Sequence, residues 1–132
     1  MTLTTLLRVI GNLAGKRYIN LTTFRKDGSE AATPVWVVSD DGARLLVWTG
    51  GQTWKAKRIR RDPRVLVAPS TMRGRERGER VEGRARIVEG LDVKALIRKK
   101  YGWQMRLLEL ASRGEDASVA IEIVDAEEGS AE

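Results

Sequence analysis

Hydrophobic positions along the chain follow two periods, one helical and one alternating. Leu3, Leu6, Leu7, Ile10 and Leu13 recur at helical spacing. With Thr2 placed to cap the start and Gly15 to end the last turn, they predict a short amphipathic helix over 3–14 that lids the core. From Arg17 to Arg25 the chain is dense in β-formers, and Lys26-Asp27-Gly28-Ser29 follows as a hairpin turn. The return strand runs over 30–39 and contains Pro34. Its missing N–H marks either a bulge, where a ligand can approach the backbone, or a plain edge strand. Asp40-Asp41-Gly42 turns the chain into a third strand over 44–49, and the three strands together predict an antiparallel meander.

The stretch Val47–Arg64 then reads as the end of a strand, a glycine turn, a helix over 54–61 capped by Thr53, and a stop at Pro63. Ala56 and Ile59 share the inner face of that helix. Lys55 lies at the border of this face, so its stem can follow the core while its ammonium reaches back toward the helix start. Free backbone N–H groups, a hydroxyl and lysines thus converge on one point, where an anion, most simply a phosphate, is the natural guest.

Beyond Pro63 a strand over 64–70 alternates through Val65 and Val67, and a loop over 71–79 carries Arg73, Arg75 and Arg77. The next strand sets Val81, Gly83, Ala85 and Ile87 inward and Arg80, Glu82, Arg84 and Arg86 outward, which predicts a basic outer face. Asp92 caps a helix over 93–101, Gly102 interrupts it, and a second helical piece follows over 103–112. Val119, Ile121 and Ile123 mark a last strand over 117–124, and the acidic tail 125–132 frays. The count gives a mainly β (α+β) chain, one domain over 1–132. Six antiparallel strands with short helices are most economically closed into a barrel, since closure removes exposed edges.

Composition narrows the chemistry. The 132 residues contain no cysteine and no histidine. That removes disulfides, thiolate catalysis, most zinc and non-haem iron sites and His-dependent triads. An enzyme built this way borrows its reactivity from an organic cofactor. No signal-peptide pattern and no membrane-length apolar run is visible, so a cytoplasmic location without membrane partners is expected. The net charge of +6 is unevenly placed: residues 55–86 hold 12 of the 24 Lys+Arg and 4 of the 18 Asp+Glu, which makes that segment +8 and the remainder −2. An anionic partner is implied, whether nucleic acid, phosphate or polycarboxylate; a merely solvated basic surface is the other reading.

Several segments together resemble the pyridoxamine-phosphate-oxidase-like split-barrel flavoproteins, and among them the F420-dependent deazaflavin reductases found in actinobacteria. They are Tyr18–Arg25, Asp27-Gly28, Ala32–Trp36, Val47–Thr49, Lys55–Val65, Val81–Ala85 and Lys100–Trp103. The resemblance implies a homodimer of six-stranded split β-barrels with cofactor sites across the interface. It puts Thr33, Pro34, Val35 and Trp36 against the flavin or deazaflavin ring, Trp48 and Thr49 on the ring-and-phosphate strand, and Thr53 and Lys55 at the phosphate. Trp54 departs from the FMN oxidase pattern, which has an arginine there, and no pyridoxal-phosphate motif is present. Vitamin B6 oxidation is therefore not expected.

By the same resemblance, coenzyme F420, with its phosphodiester and oligoglutamate tail, suits the basic surplus. Lys57, Arg58 and Arg61 would line its path, with Arg73, Arg75 and Trp103 as tail or partner-subunit contacts. The expected reaction is hydride transfer from reduced F420 to an unsaturated small molecule of the quinone, enone or tetrapyrrole class, with Tyr101 as proton donor. Two alternatives stand beside it: an FMN-dependent oxidoreductase of the same fold, and a basic barrel that binds nucleic acid. The second is weakened because the Arg80–Arg86 strand has no aromatic residue between its charges.

Overall fold

β1 (Tyr18–Phe24) and β2 (Glu30–Trp36) form the hairpin that Asp27-Gly28 announces. Gly28 supplies the left-handed φ of +87° that the turn needs. The Asp27 carboxylate closes the turn by accepting from the Ser29 N–H (2.9 Å) and hydroxyl (2.7 Å). The computed structural model describes residues 10–50, 53–89, 91, 93–104 and 118–126. Its further elements are β3 (Leu45–Gly50), α1 (Trp54–Arg61), β4 (Arg64–Pro69), β5 (Val81–Val88), α2 (Val93–Tyr101) and β6 (Ser118–Asp125).

All six strands belong to one antiparallel sheet in the order β2-β1-β4-β5-β6-β3. The sheet curls until its two edges meet again at a single bridge, Val38 to Leu46, with N–H···O distances of 3.0 and 2.8 Å. This is a split barrel. The expected β1-β2-β3 meander is corrected: β3 pairs along its whole length with β6, from Leu45↔Ile123 to Gly50↔Ser118. Turn chemistry alone suggests the nearest strand as partner, but the long-range pairing buries the apolar faces of both strands. Of the two readings of Pro34, the edge strand holds. β2 runs against β1 in unbroken register, with Asn20 opposite Pro34, so the proline sits on an edge strand and not in a bulge.

Alternation sorts the strands onto two apolar layers. Ile19, Leu21, Leu45, Val47, Val65, Val67, Ile121 and Ile123 fill the barrel, joined by Ile59 from α1 and by Ile10 and Leu13 from a 3-10 turn over Ile10–Leu13. This turn is the described part of the expected N-terminal helix; residues 1–9 lie outside the described residues. Leu46 and Ala120 face the other way and are covered by Val93, Ile97 and Tyr101 of α2. The 103–112 piece is helical at Trp103 and Gln104, and its remainder lies outside the described residues, as does Asp92.

Asp125 is corrected too. It ends β6 in the interior, 4% exposed, and accepts a hydrogen bond from the Ile10 N–H at 3.0 Å, while residues 127–132 lie outside the described residues. The outer face of β5 is less basic than its sequence suggests. Arg80 pairs with Glu30 (2.8 Å) and Glu76 (3.2 Å), Arg86 with Glu122 (2.6 Å), and Arg64 on β4 with Glu82 (3.5 Å). Burial pushes the Glu122 carboxyl up, but hydrogen bonds from Arg86 and Arg44 outweigh it and hold the group below its usual range.

Gly83 lies on the inner face of β5, where a Cβ would stand 2.9 Å from the Val124 carbonyl oxygen, 3.0 Å from Ile123 Cγ2 and 3.2 Å from Ile10 Cδ1. Gly83→Ala is therefore expected to destabilise the fold by about 1–3 kcal/mol through overpacking. Gly15→Ala, which meets nothing within 4 Å, should stay within about 0.5 kcal/mol of the parent. Urea midpoints of the two variants check the contrast.

Candidate cofactor site

The split between β2 and β3 opens from the Val38–Leu46 bridge. β2 and β3, the two ends of the strand order, run from the bridge along the two sides of the opening. The two edge backbones thus face one another over the opening. Thr33, Pro34, Val35 and Trp36 are all half-buried there. Val35 leans on the barrel core, while Trp36 and Trp48 lean on the second apolar layer. The Trp48 indole N–H is buried and has no hydrogen-bond partner among the described residues. An orphaned buried donor of this kind costs about 1–3 kcal/mol, so an acceptor arriving in the split is favoured.

At the far end of β3 the chain enters α1. Thr53 caps the helix as its sequence position predicts, accepting from the Ala56 N–H at 3.3 Å. The Thr49 hydroxyl, on the last turn of the strand's path, lies 3.2 Å from the Thr53 hydroxyl. Lys55, two residues past the Thr53 cap, is half-buried, and burial lowers its ammonium pKa. None of the ion pairs among the described residues neutralises it.

The wall behind Trp36 is pinned from α2. Trp36 and Tyr101 stack with centroids 4.4 Å apart and planes 11° from parallel. The Tyr101 hydroxyl accepts from the Val37 N–H at 3.0 Å and donates to the Arg17 carbonyl at 2.6 Å, with the Val37 carbonyl at 3.1 Å. Lys100 sends its ammonium to the carbonyls of Ala14 (3.1 Å), Lys16 (2.6 Å) and Val37 (2.7 Å). Tyr101 is 2% exposed and its phenol is pushed up to about 12 by burial. Its placement as proton donor is corrected accordingly: the hydroxyl is engaged with backbone and holds Val37 in place.

The remaining candidates fall on two other surfaces. Gly74, at φ +88°, would bring a Cβ to 3.5 Å from Pro34 Cδ, so the 71–76 loop lies on Pro34 and carries Arg73 and Arg75 to the β2 side of the split. Lys57 and Arg61 lie on the side of α1 away from Lys55, and Arg58, three residues on from Lys55, lies between the two sides. All three line an outer cleft with Trp54 and the β1–β2 turn. Trp103, just past Gly102 (φ +58°), is exposed. The sequence gives no sign of Asn20, which donates from Nδ2 to Glu76 (3.0 Å) and leaves its buried Oδ1 without a partner among the described residues. Lys100 had a signal, a lysine in the last turn of a helix. The described residues contain no cluster of three or more metal-ligating side chains, and no helix among them is long and apolar enough to cross a membrane.

This architecture is that of a pyridoxamine 5'-phosphate oxidase-like split barrel. The chain belongs to the pyridoxamine 5'-phosphate oxidase family, whose model matches residues 11–130. A conserved hypothetical protein of Mycobacterium tuberculosis shares the fold at a TM-score of 0.64 and 22% identity, over 95% of this chain and 81% of that one. A proposed pyridoxamine 5'-phosphate oxidase of Listeria innocua follows at 0.56 and 23%, over 93% of each chain. An FAD-binding protein of Mesorhizobium loti matches at 0.56 and 21%, over 95% of this chain and 88% of its own. At these identities the likeness is one of fold. No curated protein matches the sequence.

Tyr101→Phe keeps the stack on Trp36 but strips the Val37 N–H of its acceptor. The expected cost is about 1–3 kcal/mol, as for any buried donor left unpaired. It should be read as a lowered urea midpoint with an unchanged m-value.

Proposed function

We propose that the chain is an oxidoreductase that binds coenzyme F420 and reduces an unsaturated small molecule of the quinone, enone or tetrapyrrole class. The observation that carries this reading is Lys55, an ammonium half-buried in the first turn of a hydroxyl-capped helix, in none of the ion pairs among the described residues. A desolvated cation is stable beside an anion and costly without one. A phosphate suits the position, with the Thr49 and Thr53 hydroxyls to complete its hydrogen bonds.

The split fits a flat ring joined to that phosphate. The orphaned Trp48 N–H offers a donor to a ring-edge acceptor, and the Thr33–Trp36 edge offers backbone and a proline surface with no N–H of its own. Lys100 and Tyr101 keep that wall from yielding by fixing Val37. When bound, F420 supplies the hydride, and the protein's part is to hold the ring, exclude water from one face and orient the acceptor. With Tyr101 engaged, the accompanying proton comes from solvent. A second copy of the chain completes the site, and the exposed Trp103 suits such a contact.

Two features favour F420 over FMN. Trp54 stands where the FMN oxidase pattern has a phosphate-binding arginine, and its indole is turned outward. Arg73 and Arg75, carried onto Pro34 by their loop, suit a longer and more acidic coenzyme. FMN remains the second reading, supported by the likeness to an FAD-binding protein of the same fold.

Titration of the protein with F420 and with FMN, read as tryptophan quenching, tests both. F420 is expected to bind the more tightly, and Lys55→Ala to weaken it about tenfold or more, the size of a lost charged hydrogen bond. Unchanged affinity of Lys55→Ala for both molecules overturns the reading, and tight binding of FMN alone replaces it with the second. The pH dependence has a definite sign. Anion binding needs charged Lys55, so affinity holds near neutrality and falls as pH rises through its depressed pKa. Lys55→Arg should abolish that fall, because a guanidinium stays protonated.

A further inference from the structure

α1 carries a second stripe that the cofactor reading does not use. Trp54, Lys57, Arg58 and Arg61 recur at i, i+3, i+4 and i+7. They therefore lie on one face, opposite buried Ala56 and Ile59, with Arg58 at the edge of the face nearest Lys55. With Arg25 and Lys26 from the β1–β2 turn they line a cleft of about 510 Å³, a volume in the range of small-ligand sites.

Three properties distinguish this cleft from an ordinary solvated surface. First, its lining holds five cations and no carboxylate. Asp27, in the adjoining turn, is folded back onto Ser29, and none of the ion pairs among the described residues draws on the five. Second, two of the cations are already set in place by neutral acceptors. Arg61 donates to the Phe24 carbonyl, and Arg25 donates to the Glu30 carbonyl (2.7 Å) and the Ser29 hydroxyl (3.2 Å). Pre-positioned donors lose less freedom on binding. Third, Trp54 is 70% exposed, with the Lys57 ammonium 5.0 Å and the Arg58 guanidinium 5.9 Å from its ring centroid. A large indole left in water between cations is a platform for a flat ring that brings negative charge with it.

We propose that this cleft is a second ligand site, one that takes a nucleotide: a base stacked on Trp54 and two or more phosphates spread over Arg25, Lys26, Arg58 and Arg61. The phosphate count follows from the charge. A single phosphate would leave most of the five cations without a partner. The ligand can come as a free nucleoside triphosphate or as a single strand of nucleic acid, since both present a base beside consecutive phosphates.

Fluorescence anisotropy of a labelled nucleoside triphosphate on the full chain tests the assignment, with ATP, inorganic triphosphate and an eight-nucleotide single strand as competitors. Trp54→Ala is expected to weaken binding about tenfold or more, and Trp54→Phe, which keeps a stacking face, to stay within about threefold of the parent. Inorganic triphosphate should compete at least tenfold less well than ATP. Lys55→Ala should leave nucleotide binding unchanged, which separates this site from the cofactor pocket. A single strand that competes at least tenfold better than ATP, with affinity falling steeply in salt, identifies nucleic acid as the source; equal or poorer competition identifies the free nucleotide. Absence of binding, a Trp54→Ala variant that binds like the parent, or inorganic triphosphate that matches ATP overturns the proposal.

Discussion

Val37 sits where the sheet stops being a sheet. Its N–H goes to the Tyr101 hydroxyl, and its carbonyl receives the Lys100 ammonium. One residue later, Val38 makes the bridge that joins β2's extension to β3. A backbone at the lip of an opening cannot leave its polar groups unpaired. Here α2 supplies the partners that a seventh strand would otherwise provide. The helix does this while its other residues cover the outer layer, so the same element buries apolar surface and satisfies the backbone. The split can stay open on one side because it is held firmly on the other.

Charge in the molecule divides by strand and helix. On β4 and β5 the arginines alternate with, or reach across to, glutamates, and the surface is close to balanced. Such pairs add little to stability, but they remove the field that a row of arginines would project. On α1, Lys57, Arg58 and Arg61 enter none of the ion pairs among the described residues. The +8 balance of residues 55–86 thus weighs most on the helix and on the loop beside Pro34.

Much of this was legible in the residues. The Asp27-Gly28 turn, the alternation of Val81 to Ile87 and the helix from Trp54 to Arg61 behind its Thr53 cap are local signals, and the structure follows them within a residue or so. What the sequence hides is distance along the chain. β3 looks like the third strand of a meander because the turn before it is tight, yet its partner is β6, more than sixty residues on. Asp125 looks like the first residue of an acidic tail, yet a main-chain N–H from Ile10 takes its carboxylate inside. Tyr101 looks like a free phenol because nothing nearby in sequence announces the three backbone groups around it. The basic face of β5 misleads for the same reason, since Glu30 and Glu122 arrive from other strands. Local chemistry predicts elements; pairing partners require the closed barrel.

The position of β6 between β5 and β3 has a consequence for how the chain emerges from the ribosome. β3 is translated well before β6 but finds its neighbour only when β6 appears, and the Ile10 N–H meets Asp125 at that same moment. Until then an apolar strand with Leu45, Val47 and an open edge must wait, a state that invites mispairing with other nascent chains. Closure of the barrel therefore waits for β6. A truncation within the last strand should fail as a whole protein rather than lose one edge.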